Sequence, residues 1–422
     1  MKTSFPEKLL HYIWLHALFD QKNLRTTKEA SIRILKRGEL NTDSGPDFFN
    51  AHLKIGARLW VGNVEMHLQS KDWFNHKHHL DEAYSNVILH VVYEEKTPIE
   101  LEGIPCLNLY PRVNSNLLQK YSSLMNSKLW IPCEDQISSN FNSSFELWKH
   151  RLLCERLERK SKDVLSLVSQ LNFDWEEAFM QLLFQQMGFK TNRLPMEWLS
   201  RKLRFSHFKR EAGNLEYIEA MLFGAAGMLR GKEDDKQIKL KYDFELLRRK
   251  FKLTSIDESS WKWSRMRPSN FPSIRLAQLT ALLASDRNLV HSLLQASELD
   301  EMRKLLEVNA GSYWSQHYRF GQRSNEHSTH LGKSSIDLIL INLFLPFRFC
   351  SQEHHGMDTA ELIEFYFEIQ KESNSTLKKW RSLGMISRSA ADSQALLELK
   401  ASYCNQQKCL SCQLGAEILK ND

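Results

Sequence analysis

Proline and glycine are scarce, at 10 and 16 of 422 residues, which is too few for a collagen-like or low-complexity chain. No internal repeat of fixed period is present, so a solenoid is disfavoured. Cysteine numbers seven, an odd count spread thinly, and that is not how a disulfide framework looks. No charge sign dominates. The 57 Lys and Arg against 51 Asp and Glu leave a net +6, compatible with a polyanion partner but far from the footprint of a dedicated nucleic-acid coat. Long apolar runs are missing too. The longest, Ile336 to Pro346, is interrupted by Asp337 and Asn342 and falls short of the ~20 residues that span a bilayer. The N-terminal apolar stripe contains Glu7 and is followed by no small-residue cleavage site, so it reads as an ordinary helix and the expected location is cytoplasmic, away from membranes. No Walker or dinucleotide fingerprint occurs.

What is there is globular. A composition 42% hydrophobic and 26% charged supplies ample core for two or three domains at this length. The pattern predicts an α+β chain: an αβ domain over 1–112, a Ser- and Asn-rich linker over 113–144, and a helical domain over 145–422. In the first part, Leu9, Leu10, Ile13, Trp14, Ala17 and Leu18 recur at amphipathic-helix spacing after Pro6. A strand is expected at 31–35, and a hairpin from 47–55 and 59–69 around Gly56-Ala57. A short helix near 80–84 should follow. The continuous apolar run 86–93 suits a strand buried on both faces, and 104–110 suits an edge strand because of Pro105. Beyond residue 145 the spacing is helical almost throughout.

The chemistry-bearing residues gather on the hairpin. With the turn at Gly56-Ala57, Ile55 faces Arg58, and counting back along both arms brings Asp47 opposite Met66, between Glu65 and His67. Glu65 and His67 share one face of their strand with Val61, Asn63 and Gln69, while Trp60, Val64, Met66 and Leu68 share the other. Two carboxylates this close repel unless a cation or proton lies between them, and hard oxygen ligands suit Mg²⁺ or Mn²⁺. A solvated hairpin face carrying a row of acids would look the same in sequence. Histidines are dense over the same stretch: His52, His67, His76, His78, His79 and His90. Neutral imidazoles with Asp47, Glu65 and Asp72 would alternatively make a zinc or dinuclear hydrolytic site, although no zinc spacing is matched. His90, inside the apolar strand, reads as a hydrogen-bonded core residue.

The order of helix with an early acid, strand, Pro46-Asp47 on one strand, Glu65-Met66-His67 on the next, then a helix and a buried strand resembles the core of the PD-(D/E)XK nucleases. That resemblance implies a divalent-metal-dependent nuclease of DNA or RNA. Asp47 and Glu65 would be metal ligands, the main-chain carbonyl of Met66 a further one, and Glu7 an assisting acid. His67 stands where the family has lysine. Imidazole can take up a proton near neutral pH or bind metal, but it cannot supply the permanent compact charge of an ammonium. Lys71 or Lys54 would have to substitute, or the chain would keep only a nucleic-acid-binding or assembly role. The whole chain also resembles a bacterial family of uncharacterised proteins of this size. It does so through Gly45-Pro46-Asp47-Phe48, Val64-Glu65-Met66-His67, Asp72-Trp73, His76, His78-His79, Leu89-His90-Val91-Val92 and a Cys-rich end.

Near the C-terminus, Cys404, Cys409 and Cys412 have C-x₄-C-x₂-C spacing, and a two-residue gap lets two thiolates reach one metal. Zn²⁺ or an iron–sulfur cluster would fit, with Cys350 or a histidine as fourth ligand; buried thiols on a terminal helix are the plainer alternative. Some nuclease families with the resembled core carry such a cluster near the C-terminus. Two basic, aromatic-interleaved segments, 201–210 and 261–275, could hold a nucleic-acid strand, with Arg265, Arg267, Arg275 and Lys71 as the phosphate contacts.

Overall fold

The computed structural model of the chain describes residues 5–93, 99, 101–137, 141–231, 234–285 and 288–420. It is mixed α+β, with the sheet at the N-terminus and helices after it. Two compact units are present, one of 1–148 together with 399–422 and one of 149–398. The C-terminal segment with its cysteines therefore belongs to the sheet-bearing unit. Sequence patterning had grouped it with the helices, because a chain's return over such a distance leaves no local periodicity.

In the first unit, helix α1 (Glu7–Leu15) buries Leu9, Leu10, Ile13 and Trp14, the stripe its spacing predicts. The indole of Trp14 donates to the Arg37 carbonyl at 3.0 Å, fixing the helix to the chain that enters the sheet. Strands β1 (Ile32–Lys36), β2 (Glu39–Leu40), β3 (Phe48–Ile55), β4 (Arg58–His67), β5 (Val87–Val92) and β6 (Cys106–Asn108) follow. The sheet order is β1-β3-β4-β5-β6, with β2 also pairing to β3. β1, β3 and β4 are antiparallel, whereas β4, β5 and β6 are parallel, so the sheet is mixed. All six residues of β5 are buried, as a continuous apolar run requires. β6 lies at the edge, where Pro105 costs no ladder bond.

The β3–β4 hairpin turns at Gly56-Ala57, with Ile55 paired to Arg58. The register then shifts: Ala51 pairs with Gly62 but Phe48 with Val64, so β3 holds one extra residue. Asn50, at φ 55°, makes this bulge, and its amide donates to the Asn63 side chain at 3.3 Å. The extra residue puts Phe48 on the same buried side as Ala51, Leu53 and Ile55. It also carries Asp47 one position along, beside Glu65. Gly62 is required because a Cβ there would strike Ile88 and the Asn86 carbonyl on the neighbouring strand.

Between β4 and β5 the chain forms helix α2 (Asp72–Asn75) and two 3₁₀ turns, 78–80 and 82–84, in place of one helix near 80–84. The 113–144 stretch is more ordered than a linker: it contains helix α3 (Ser115–Asn126) and the start of α4 (Phe141–Gln170). The Asn114 side chain caps α3 by accepting from the Asn116 amide.

The second unit is built of helices around one large core, with a small hairpin of 317–319 and 322–323 that helical spacing did not announce. Helix Leu215–Ala225 lies against helix Asp235–Phe251 so closely that a Cβ on Gly224 would enter the Phe244 ring, the tight packing its small residues suggest. The run Lys333–His354 is helical throughout, longer than the apolar stretch within it, and by length and composition it could cross a membrane. However, 72% of its apolar window is buried inside the protein, which is how a core helix behaves.

Candidate metal centre

Asp47 is set by the loop before β3. Gly45 takes φ 102°, and the Asn41 amide group donates to the carbonyls of Asp43, Ser44 and Pro46, while the Asn41 main-chain N–H donates to the Asp47 carbonyl at 2.8 Å. Asp47 then meets β4 twice. Its N–H donates to Glu65 Oε2 at 3.1 Å, and its Oδ2 accepts from the Met66 N–H at 2.9 Å. Met66 thus turns its amide to Asp47, and its side chain is fully buried in the core. From α1, His11 Nε2 reaches Asp47 Oδ2 at 3.2 Å. Glu7 is one helical turn earlier on the same face and within the electrostatic reach of Asp47, His11 and His76.

Glu65 and His67 leave β4 together, away from Val64 and Met66, but they do not face water. They are only 4% and 1% exposed. The segment 72–84 covers them, so a row of solvated acids is not what the hairpin carries. Trp73 is the lid's anchor, 4% exposed, with its ring 5.5 Å from those of His78 and His90. The Asp72 carboxylate is used within the lid, accepting from the Gln69 amide at 3.2 Å and the Asn75 side chain at 3.0 Å. Lys77 sits in the left-handed region at φ 64°, the turn between His76, which is exposed yet brings Nδ1 to His67, and the half-buried His78. His79 remains exposed.

The result is a knot of imidazoles on a buried carboxylate. Glu65 Oε1 lies 3.4 Å from His67 Nε2 and 3.2 Å from His78 Nε2. His67 Nε2 lies 3.2 Å from His76 Nδ1. His67, His76 and His78 each offer a ring nitrogen within 4.8 Å of the others. Behind them, His67 Nδ1 and His90 Nε2 share one proton at 2.8 Å. His90 is a core residue as its strand position suggested, and it is also the support of His67. Burial, and then the neighbouring carboxylate of Asp47, pushes the Glu65 carboxyl up to about 9. Burial first, then His90 and the other imidazoles, pushes His67 down to about 2. The same two causes, led again by burial, lower His90 to about 4. His67 and His90 are thus held neutral, the form in which an imidazole nitrogen binds metal.

The donor set fits a metal. Four ligands on one tetrahedral zinc-like ion with bonds of about 2.0–2.1 Å stand about 3.3 Å apart. Three of the six edges of such a set are seen, at 3.2, 3.4 and 3.2 Å, and the three imidazole nitrogens, without Glu65, lie mutually within 4.8 Å. Three nitrogens and an oxygen suit zinc, manganese or iron better than magnesium, which prefers oxygen alone. Asp47 supplies a second carboxylate next to this set. Register counting brings Asp47, Glu65 and His67 together and the resemblance adds Glu7; the histidine-rich reading includes His76 and His78 as candidate zinc ligands without placing them, and His11 is in neither. The Glu7-His11 spacing of four on a helix was the available signal.

The other sequence candidates lie elsewhere. Lys71 is exposed immediately before α2. Arg265 and Arg267 are exposed in the helical unit. Arg275 is a correction: its guanidinium is buried at 6% exposure, bonded to Gln278 and Asn270 and stacked 4.3 Å from the Phe189 ring centre, so it braces the core and offers nothing to a phosphate. The helical unit has instead a cavity of about 1060 Å³ lined by seven Lys and Arg, among them Lys190, Arg193 and Lys333, against the carboxylates of Asp163, Asp337 and Glu372; of the seven, Arg156 and Arg159 pair with Glu398 and burial pushes Lys160 down.

The first unit is thus a mixed sheet that presents a buried carboxylate, its partner acid and a cluster of imidazoles, in a chain of α+β architecture. The chain belongs to the family described as Protein of unknown function (DUF2851), whose family model matches residues 7–375. No curated protein and no solved structure matches it.

Proposed function

We propose that the first unit is the catalytic part of a divalent-metal-dependent nuclease, a hydrolase of phosphodiester bonds in DNA or RNA, working in the cytoplasm. The observation that carries the reading is the convergence of Glu65 Oε1 and His67 of β4 with His76 and His78 of the segment that follows it, beside Asp47 immediately before β3. Further support is the element order of the PD-(D/E)XK core: a helix bearing Glu7, a hairpin bearing Asp47 and Glu65, and a parallel buried strand after a helical crossover. Glu65, His67, His76 and His78 would hold the ion and Asp47 would share it or position the substrate. A bound ion of this kind acidifies water and offsets charge on the phosphate. The His-rich donors point to manganese or zinc in place of the magnesium that carboxylates alone would take. His67 replaces the family's lysine as a ligand, so its imidazole adds no fixed positive charge beside the water. The Lys- and Arg-lined cavity of the helical unit supports a polyanionic substrate.

The test is cleavage of mixed single- and double-stranded DNA and RNA with Mn²⁺, Zn²⁺ or Mg²⁺ supplied in turn. Cleavage with Mn²⁺ or Zn²⁺ that disappears in Asp47→Ala and Glu65→Ala is expected. A second reading rests on the absent lysine: the chain binds nucleic acid or assembles with it without cutting. Nucleic-acid binding that survives both substitutions, with no cleavage by the parent protein under any metal, would establish that reading instead. Metal-dependent hydrolysis confined to small, non-nucleic esters would assign the centre to a zinc hydrolase of another class.

A further inference from the structure

A second cluster of metal-ligating side chains lies apart from the imidazole site, and it gathers four of the seven cysteines. Cys404 ends the π-helical turn 399–404, Cys409 opens the 3₁₀ turn 409–411, and Cys412 precedes the last helix, Gln413–Lys420. Cys133, more than 270 positions earlier in the chain, precedes the 3₁₀ turn 134–136. All four are free thiols, and Cys133, Cys409 and Cys412 are 6–7% exposed. Burial raises the Cys404 thiol first, and after burial its neighbours Cys412, Cys133 and Cys409 do so. Cys133 in turn feels Cys412 and Cys409. Cys350, the sequence candidate for fourth ligand, is instead bonded to the Ser161 carbonyl within the helical unit.

The surrounding structure holds the four loops together. Gln407 donates to the Met125 carbonyl at 3.2 Å, and Lys400 lies 5.0 Å from the Trp130 ring centre, so the 125–134 segment and the 400–409 segment are fastened side by side. Gly415 lets the last helix ride on the Cys409 carbonyl, where any Cβ would collide. Burial raises the Cys412 thiol, while the main-chain N–H groups of Leu414 and Gly415 donate to its sulfur and partly offset that effect. Tyr12 of α1 puts a buried hydroxyl without a hydrogen-bond partner within the electrostatic reach of Cys412. Single cysteines bury readily as small apolar groups, but four thiols gathered from segments far apart in the chain form the donor set that a soft metal takes.

A single zinc with Zn–S bonds of about 2.3 Å draws its sulfurs to about 3.8 Å from one another. Among the described residues, no three of these sulfurs lie mutually within 4.8 Å, the condition that the imidazole trio meets. Thiolates on separate irons of one cluster stand wider, and C-x₄-C-x₂-C with one distant cysteine is a spacing iron–sulfur proteins use. We propose that Cys133, Cys404, Cys409 and Cys412 hold an iron–sulfur cluster that ties the C-terminal segment to the sheet-bearing unit. This inference does not depend on the nuclease reading.

The experiment uses the full chain, purified without oxygen from iron-replete cells. The expected protein is brown, with iron and acid-labile sulfide in equal amounts. Both are lost in Cys133→Ser and Cys409→Ser and kept in Cys154→Ser and Cys350→Ser. Should Cys133→Ser not fold, alkylation of the parent answers the same question: Cys133 gains label together with Cys404, Cys409 and Cys412 only after the cluster is stripped. A colourless protein with one zinc and no sulfide overturns the cluster. Iron that depends on Cys350, or Cys133 labelled while the iron is still bound, overturns the ligand set.

Discussion

His67 has two nitrogens with two jobs. For Nε2 to carry a lone pair toward Glu65, His76 and a cation, Nδ1 must hold the ring's proton and His90 Nε2 must accept it across 2.8 Å. His90 is therefore the residue that selects the tautomer. Replacing it with leucine would free His67 to adopt the wrong one, and metal affinity should fall about 10–100-fold, the usual cost of losing such support. His90→Gln, which keeps an acceptor, should lose less. Competition with a chromophoric chelator measures both, and equal affinities in parent and His90→Leu would remove His90 from the centre. This pairing was legible only in part. Alternation put Glu65 and His67 on one face, and the apolar run buried His90, but nothing local says that two parallel strands bring positions 67 and 90 together. His76 and His78 stand in sequence only as candidate zinc ligands, and their placement against His67 and Glu65 has no local signal for another reason. That placement depends on Lys77 adopting a left-handed conformation that its side chain gives no cause to expect.

At the scale of elements, the hairpin shows where counting works and where it stops. The Gly56-Ala57 turn fixes the pairing as far as Ala51 with Gly62, and the bulge at Asn50 then adds one residue. Asparagine tolerates φ near 55°, yet it does so in many turns, so the bulge has no signature in the sequence. Caps were more readable. Asp234 opens helix Asp235–Phe251, its Oδ1 accepting from the Gln237 amide and its Oδ2 from the Gly321 amide, each at 2.9 Å, and from the Tyr313 hydroxyl. Burial pulls this carboxyl up, but Tyr313 and the two amides outweigh it and hold it below the usual aspartate value. A depressed carboxyl contributes stability that is complete above the unfolded value of about 3.9 and is lost as the pH falls through the folded one. Asp234→Ala should thus destabilise the helical unit by about 1–2 kcal/mol at neutral pH. In urea titrations the gap between parent and variant should narrow below about pH 4, where the parent loses the same ionised group. A gap unchanged at acid pH would mean that the carboxylate's charge plays no part.

For the whole molecule, the consequential feature is the return of 399–422 to the sheet-bearing unit. Leu414, Ile418 and Leu419 of the last helix are buried there, and Glu417 accepts from Ser144 at 2.6 Å. Sequence could see the C-x₄-C-x₂-C cluster but not Cys133, because cysteines brought together by a chain reversal have no periodicity to betray them. Helix α1 links the two centres of this unit: Glu7 and His11 face the carboxylates of the imidazole site, while Tyr12 is within reach of Cys412. Two units with separate cores should melt in separate transitions, and a ligand that binds only one of them raises only that transition. Stripping the cluster from the full chain should therefore lower the transition of the sheet-bearing unit and leave that of the helical unit in place. At about 2–4 °C per kcal/mol for units of this size, a cluster worth several kcal/mol shifts the first by about 10 °C. Because α1 sits between the centres, metal affinity at the imidazole site should weaken in the stripped protein, although none of its ligands has been touched. Calorimetry of parent and stripped chain reads the first effect, and the same chelator competition reads the second. A uniform downward shift of both transitions would mean that the two units share one cooperative core.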